Sequence, residues 1–272
     1  MTIAAAASMS ARTAGRLRGW LSVRHSLGAE AVVVLALYGL YELARGLVVG
    51  DAGEAVHHAR ELVALERSLH VFVEGRVQDA AHALPGLIDL LGISYLSLHL
   101  AGTVGVLLWL HQRRPAAFPL VRTTLLLASG LALVGYFAFP TAPPRLSGIG
   151  ITDTVSGGRI DLNTGLVSSL YNPYAAVPSM HIGYALVVGA SLLRYGRRRA
   201  VRFLIGLLYP LFVLLVVVAT GNHFLVDALA GAAVVGLAAG AARLLARPTA
   251  DARIARFPER PPPAQASEKL AA

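Results

Sequence analysis

Six stretches of the chain are apolar almost without interruption: 29–49, 87–110, 120–139, 177–193, 203–219 and 224–245. A bilayer core is crossed by about 20 apolar residues in a helix, so the pattern predicts an all-α, polytopic membrane bundle of six transmembrane helices. The fourth stretch is the shortest, and it carries Ser179 and His181 at its start. The segment 51–85 has a different texture, with Val63, Leu65, Leu69, Val71 and Val73 interleaved with charges. That spacing predicts a short amphipathic helix lying on the membrane surface or capping the bundle; an ordinary solvated loop with some helix reads the same residues. No internal repeat is visible. The chain divides into an N-terminal segment 1–26, a membrane domain 27–246 and a tail 247–272. Pro258 and Pro261-Pro262-Pro263 mark the tail as disordered.

Composition supports the membrane reading: 56% of the 272 residues are hydrophobic and 14% are charged. The formal net charge of +9 would suit a nucleic-acid partner if it were spread over one face. Instead the arginines gather between apolar runs, which points to the bilayer and to no nucleic acid. Arg12, Arg16, Arg18 and Arg24 precede the first run, and Arg113, Arg114 and Arg122 flank the second connection. Arg194, Arg197, Arg198, Arg199 and Arg202 join the fourth and fifth runs, and Arg243, Arg247, Arg253 and Arg256 follow the sixth. If every run spans, all of these fall on one side, which the positive-inside bias makes cytoplasmic. Both termini are then cytoplasmic in a multi-pass protein of the cell membrane. Met1 to Ser26 lacks an apolar core followed by a cleavage site and is not read as a removed signal peptide. The chain has no cysteine, which excludes a disulfide, a thiol nucleophile and a thiolate metal site.

This topology brings three separate segments to the extracytoplasmic face. Pro143-Pro144-Arg145 follows the third run, His181 begins the fourth, and His223 and Asp227 begin the sixth. His223 and Asp227 are four apart, so on a helix they share a face. The carboxylate can fix the imidazole tautomer and leave the other ring nitrogen nucleophilic. His181 is then available as general acid. Arg145 offers a fork of donors to phosphate oxygens. Ser179 and the free amides of a helix start add further donors. Asn222 stands beside the nucleophile, and Asn172 and Tyr174, just before the fourth run, are within reach of the same site. Singly, each histidine is an interfacial polar residue, Arg145 an anchor and Pro143-Pro144 a stiff turn. Together on one face they describe covalent phosphoryl transfer without a cofactor or metal.

At these residues the chain resembles the type 2 phosphatidic acid phosphatase superfamily. Pro178-Ser179-Met180-His181 is similar to its Pro-Ser-Gly-His motif, with Met180 in place of glycine. His223 to Asp227 matches the end of its His-x-x-x-Asp motif, and Ala228-Leu229-Ala230-Gly231 continues its small-residue helix. Two departures stand out: Val217 occupies the position of an expected arginine, and Pro143-Pro144-Arg145 lacks the lysine spacing of the first motif. Both, with Thr220-Gly221-Asn222-His223, resemble the inositol phosphorylceramide synthase-like (inositolphosphotransferase) branch. The resemblance implies a lipid-phosphate phosphatase or phosphotransferase with His223 as nucleophile, Asp227 as its partner, His181 as acid, and Ser179 and Arg145 on the phosphate. It also implies a polyol or sugar as an acceptor alternative to water.

The remaining ionisable groups read locally. Glu42 and Arg45, three apart on the first run, form an ion pair, and Tyr95 and His99 hydrogen-bond within the bundle or line a lipid access path. Glu30 is interfacial, and Trp20 and Trp109 are aromatic anchors. Two other functions fit part of the pattern. A metal-dependent membrane hydrolase would use His181, His223 and Asp227 as ligands, although no HExxH motif is present. A transporter would use six spans, although the polar residues gather at one face and do not thread the bundle.

Overall fold

A computed structural model describes residues 15, 19–21, 23–47, 51–154 and 172–246. The tail from 247, residues 155–171 of the last connection before the fourth run, and most of 1–26 lie outside the described residues. Among the described residues eight α-helices form an all-helical bundle: α1 Leu27–Leu47, α2 Ala52–Ser68, α3 Glu74–His82, α4 Leu87–Arg113, α5 Phe118–Ala138, α6 Met180–Tyr195, α7 Arg199–Ala219 and α8 Leu225–Ala246. A 3₁₀ turn covers Pro144–Leu146.

Among the described residues five helices, α1, α4, α5, α7 and α8, are long and apolar enough to cross a membrane. The sixth expected span is α6, which has 16 residues and so reaches only about 24 Å. It packs against four neighbours, α4, α5, α7 and α8, and is the centre of the bundle. Helices in lipid approach through small residues rather than through hydrophobic expulsion, and α6 does so twice. A side chain at Gly189 would collide with the Gly206 carbonyl and the Pro210 ring of α7. One at Gly231 of α8 would collide with the Ser179 carbonyl. Around this centre, Ala128, Ala132, Met180, Tyr184, Val188 and Ala238 form one buried cluster. Leu91, Ile182, Val213 and Val217 form another. Val32, Leu35, Phe203, Leu211 and Leu229 are exposed large apolar side chains, as a surface bathed in hydrocarbon requires.

The segment before α4 folds as two helices where one was expected. Asp51 starts α2 by accepting the Gly53 and Glu54 amides at 2.7 and 3.0 Å. His70 ends the turn in the left-handed region at φ 59°, with the His70 amide returning to the Arg67 carbonyl and the Val71 amide to the Glu66 carbonyl. The reversal swings α3 back over the bundle. Ala55, Ala59, Leu62 and Val63 then pack on Ala142 and Phe224, so this segment caps the bundle.

At the opposite, arginine-rich end, Glu30 proves to be buried rather than interfacial. Its carboxylate accepts from Arg122 at 2.6 Å, with side chains 3% and 1% exposed. The Arg122 guanidinium lies 4.4 Å from the Trp20 ring centroid and also donates to the Leu21 carbonyl. Arg122 thus fastens the start of α5 to the chain leading into α1.

Candidate active site

The site is assembled where three backbone segments are stitched together. Thr141 and Ala175 form an isolated parallel bridge, with the Thr141 amide donating to Tyr174 and the Ala176 amide to Thr141. The Arg145 amide donates to the Gly221 carbonyl at 2.9 Å, and the Ser179 amide to the Asp227 carbonyl at 3.0 Å. Gly221 has φ 67°, and a β-carbon there would press on Ile151 and Arg145. These links place the starts of α6 and α8 side by side.

His223 and Asp227 meet, though not on one helix as expected: His223 precedes α8 by two residues, and its Nδ1 lies 3.2 Å from Asp227 Oδ2, with both residues buried. Oδ2 also accepts the Phe224 amide at 2.9 Å. The carboxylate is therefore held by its own helix start and in turn holds Nδ1, leaving Nε2 as the ring nitrogen available for chemistry. The His181 ring lies 5.6 Å from that of His223, centroid to centroid. Tyr95 stacks on His181 at 4.4 Å and His99 meets it edge-on at 4.2 Å, so α4 fixes the orientation of this imidazole.

A cavity of about 540 Å³ opens on the two histidines. Asn172 and Asn222 line it, as do Tyr41, Glu42, Arg45, Tyr95, His99 and Tyr136. Tyr136 donates to the Pro178 carbonyl at 3.1 Å and lies 3.3 Å from the Tyr41 hydroxyl. The other expected substrate-binding residues stand behind this wall. Arg145 donates to Asn222 Oδ1 at 3.0 Å and to Asp153 at 2.7 Å, and its side chain is 1% exposed. Ser179 is fully buried, and its Oγ has no hydrogen-bond partner among the described residues. Tyr174 packs with the cluster under the cap, its amide donating to Asn172 Oδ1. Asn172 reaches α1 by donating to the Arg45 carbonyl at 3.0 Å.

Two groups of residues in the site were not anticipated in this role. The first is Glu42 and Arg45, whose expected ion pair forms at 3.2 Å but on the cavity wall. The second is Glu66 and Glu74 on α2 and α3. The first amides of α8 have no intrahelical acceptor, and they donate to these carboxylates: Leu225 to Glu74 at 3.1 Å and Val226 to Glu66 at 2.8 Å. Both glutamates are fully buried. Burial, a hydrogen bond with Glu74 and the nearby charges of Glu74 and Asp227 push the Glu66 carboxyl up to about 8. The pair therefore holds a proton while it caps the helix that carries His223 and Asp227. Among the described residues no group of three His, Asp or Glu side chains is placed to hold a metal ion.

The described residues thus bring a buried His–Asp couple to face a second histidine across a polar cavity, inside a bundle whose helices are long and apolar enough to cross a membrane. The family model of the PAP2 superfamily matches residues 60–241, and the chain belongs to that superfamily. No curated protein and no solved structure matches the chain. Membership supports a membrane phosphatase-type function, on phosphate esters, at the level of the superfamily and not of the synthase-like branch. The match begins inside α2, so α1 with Tyr41, Glu42 and Arg45 lies outside it.

Proposed function

We propose that the protein is an integral-membrane lipid-phosphate phosphatase or phosphotransferase that works through a phosphohistidine on His223. The observation that carries this reading is the His223 Nδ1–Asp227 Oδ2 contact of 3.2 Å beside a cavity shared with His181. In the first step His223 Nε2 bonds to phosphorus as the bond from phosphorus to the leaving oxygen breaks, and His181 gives that oxygen its proton. In the second step an incoming hydroxyl attacks phosphorus, the N–P bond breaks, and His181 takes the hydroxyl proton. Asp227 stabilises the charged imidazole formed in the first step. A positioned acid–base group of this kind contributes roughly 10²- to 10⁴-fold.

Phosphate oxygens are held at the cavity by Arg45, Asn222 and the positive end of α6, where Met180 and His181 begin the helix. Ser179, buried behind the wall, acts by holding the start of α6 against Asp227 through its amide, and Asn172 fixes the wall beside the anion. Arg145 acts through Asn222, its direct polar contact in the site, and Tyr174 acts through Asn172. Arg45 takes the place of the cation absent at Val217. The site lies at the end away from the clustered arginines, which makes it extracytoplasmic in a cell-membrane protein with cytoplasmic termini.

Water and an alcohol are both competent in the second step. The resemblance of Thr220-Gly221-Asn222-His223 to the inositolphosphotransferase branch favours a polyol or sugar acceptor. The test is turnover of lipid phosphates by purified protein and its His223→Ala variant, with and without polyols, scored by product mass. The reading requires activity in the wild type and none in the variant; equal turnover by the two would exclude it.

A further inference from the structure

A second cavity adjoins the polar one and has the opposite character. It measures about 1280 Å³, more than twice the polar cavity's 540 Å³, and runs between α1, α4 and α5. Tyr38, Tyr41, His99 and Tyr184 line both, so a polar and an apolar cavity adjoin at these four side chains. Below those residues the walls are mostly hydrocarbon, Leu35 and Leu37 on α1, Leu100 and Val104 on α4, Leu126 and Leu133 on α5, with Thr103, Ser129 and Arg122 as the polar members. Leu35, Leu37, Leu100 and Val104 are 68%, 40%, 47% and 46% exposed, so the groove opens sideways toward lipid. α1 packs chiefly on α5, and the gap it leaves toward α4 is the opening.

The depth of the groove decides what fits. From Leu133 down to Arg122, the lining descends along α5 by about 16 Å at ~1.5 Å per residue. That is roughly half of the ~30 Å hydrocarbon core, a length that one lipid chain lying along α5 fills, and it ends at Arg122 near the end of the bundle opposite the histidines. An amphiphile whose phosphate lies at His223 has its chain directed into this groove.

We infer that the α1–α4–α5 groove is the hydrocarbon-chain subsite of the enzyme, with α1, outside the family match, as its selective wall. This assignment rests on the phosphohistidine reading for its polar end. The two can nevertheless fail separately, because chain binding does not require turnover.

Gly130 gives a clean probe of the groove. It lines the groove on α5, and a β-carbon there meets nothing within 4 Å, so Gly130→Trp fills space without displacing backbone. The control is Leu237→Trp on α8, at a site 68% exposed and away from the groove. The first measurement uses His223→Ala protein in phosphatidylcholine vesicles containing a phosphatidic acid with a diazirine midway along one acyl chain. Photolysis should label the segments around Leu100, Val104 and Leu133, with labelling competed by plain phosphatidic acid and lost with Gly130→Trp. Labelling competed equally by phosphatidylcholine would make the groove a bilayer-lipid site and overturn the inference, as would labelling confined to α7 and α8. The second measurement compares kcat/KM for long-chain and eight-carbon lipid phosphates. Gly130→Trp should lower the long-chain value at least 10-fold and the short-chain value less than 2-fold, with Leu237→Trp changing neither. Equal losses on both substrates, or no loss on either, would overturn it. Retained turnover in His223→Ala would instead remove the catalytic reading and leave the labelling result standing.

Discussion

The amide of Ser179 donates to the carbonyl of Asp227 across 3.0 Å, and this bond joins the segment that carries His181 to the one that carries His223. It forms because Gly231, one helical turn beyond Asp227, lets α8 approach the Ser179 carbonyl without a side chain between them. The distance between His181 and His223 is therefore set by backbone contacts, and their side chains inherit it.

Gly231→Ala tests this coupling. The added methyl must push α8 away from Ser179, and overpacking of this kind costs about 1–3 kcal/mol. The variant should unfold at lower temperature in detergent and lose activity at temperatures where it remains folded. Full activity with an unchanged melting point would show that the two helix starts are not rigidly coupled.

Asp227→Asn keeps the size of the side chain and removes the charge that stabilises the imidazolium. A fall in kcat of about 10³- to 10⁴-fold is expected, with KM within a few-fold of wild type. Steady-state kinetics on a lipid phosphate measures it.

Arg45 and Arg145 should separate. Arg45 lines the cavity, so Arg45→Ala should raise KM about 10- to 100-fold, with Arg45→Lys recovering part of the loss. Arg145 is tied to Asp153 and Asn222 behind the wall. Arg145→Ala should lower the melting temperature as well as activity, because it leaves the Asp153 carboxylate without that ion pair.

The Glu66–Glu74 cap makes stability depend on pH. The Glu66 carboxyl titrates at about 8 in the folded protein against an ordinary 4.5. Between those values the folded state binds the proton and the unfolded state does not, so this stabilisation is complete below about 4.5 and is lost as pH rises through about 8. The melting temperature should fall over that window, and Glu66→Gln, which mimics the protonated group, should flatten the fall. Thermal unfolding followed at stepped pH reads both.

Breaking the buried pair at the other end should damage the fold and not the chemistry. Glu30→Gln strands the Arg122 charge, at a cost of about 3–5 kcal/mol when a fully buried pair loses one member. Glu30→Met combined with Arg122→Met should recover much of that stability, and kcat of the folded fraction should stay near wild type.

Local pattern was enough for much of this structure. The third apolar run, expected over 120–139, is helical over Phe118–Ala138. The His223–Asp227 contact is expected from a four-residue spacing on one helix, but His223 stands two residues before α8, and the contact is made at the helix start, where Asp227 Oδ2 also accepts the Phe224 amide. Features that depend on rotation or on long-range return of the chain were not legible. α1 is apolar around most of its circumference, so nothing in its pattern says which side faces the bundle, and Arg45 reads as half of a local pair. Glu66 and Glu74 read as surface charges of an amphipathic stretch, because their partners, the amides of Val226 and Leu225, lie far along the chain. α3 has nine residues and only a short apolar stripe of Val77, Ala80 and Ala81; what that stripe packs on, the buried cluster with Val213 and Val217, is set by the reversal at His70 and lies far along the chain.

The central claim is a covalent phosphoryl group on His223, and acid-free quenching reads it directly. Protein mixed with a lipid phosphate labelled on phosphorus, then stopped within the first turnovers, should carry label that is stable in base, labile in acid and located on the peptide containing His223. His181→Ala should accumulate less of it, and Asp227→Asn should carry almost none. Turnover of the same substrate by wild-type protein with no label on His223 at any time would contradict the account.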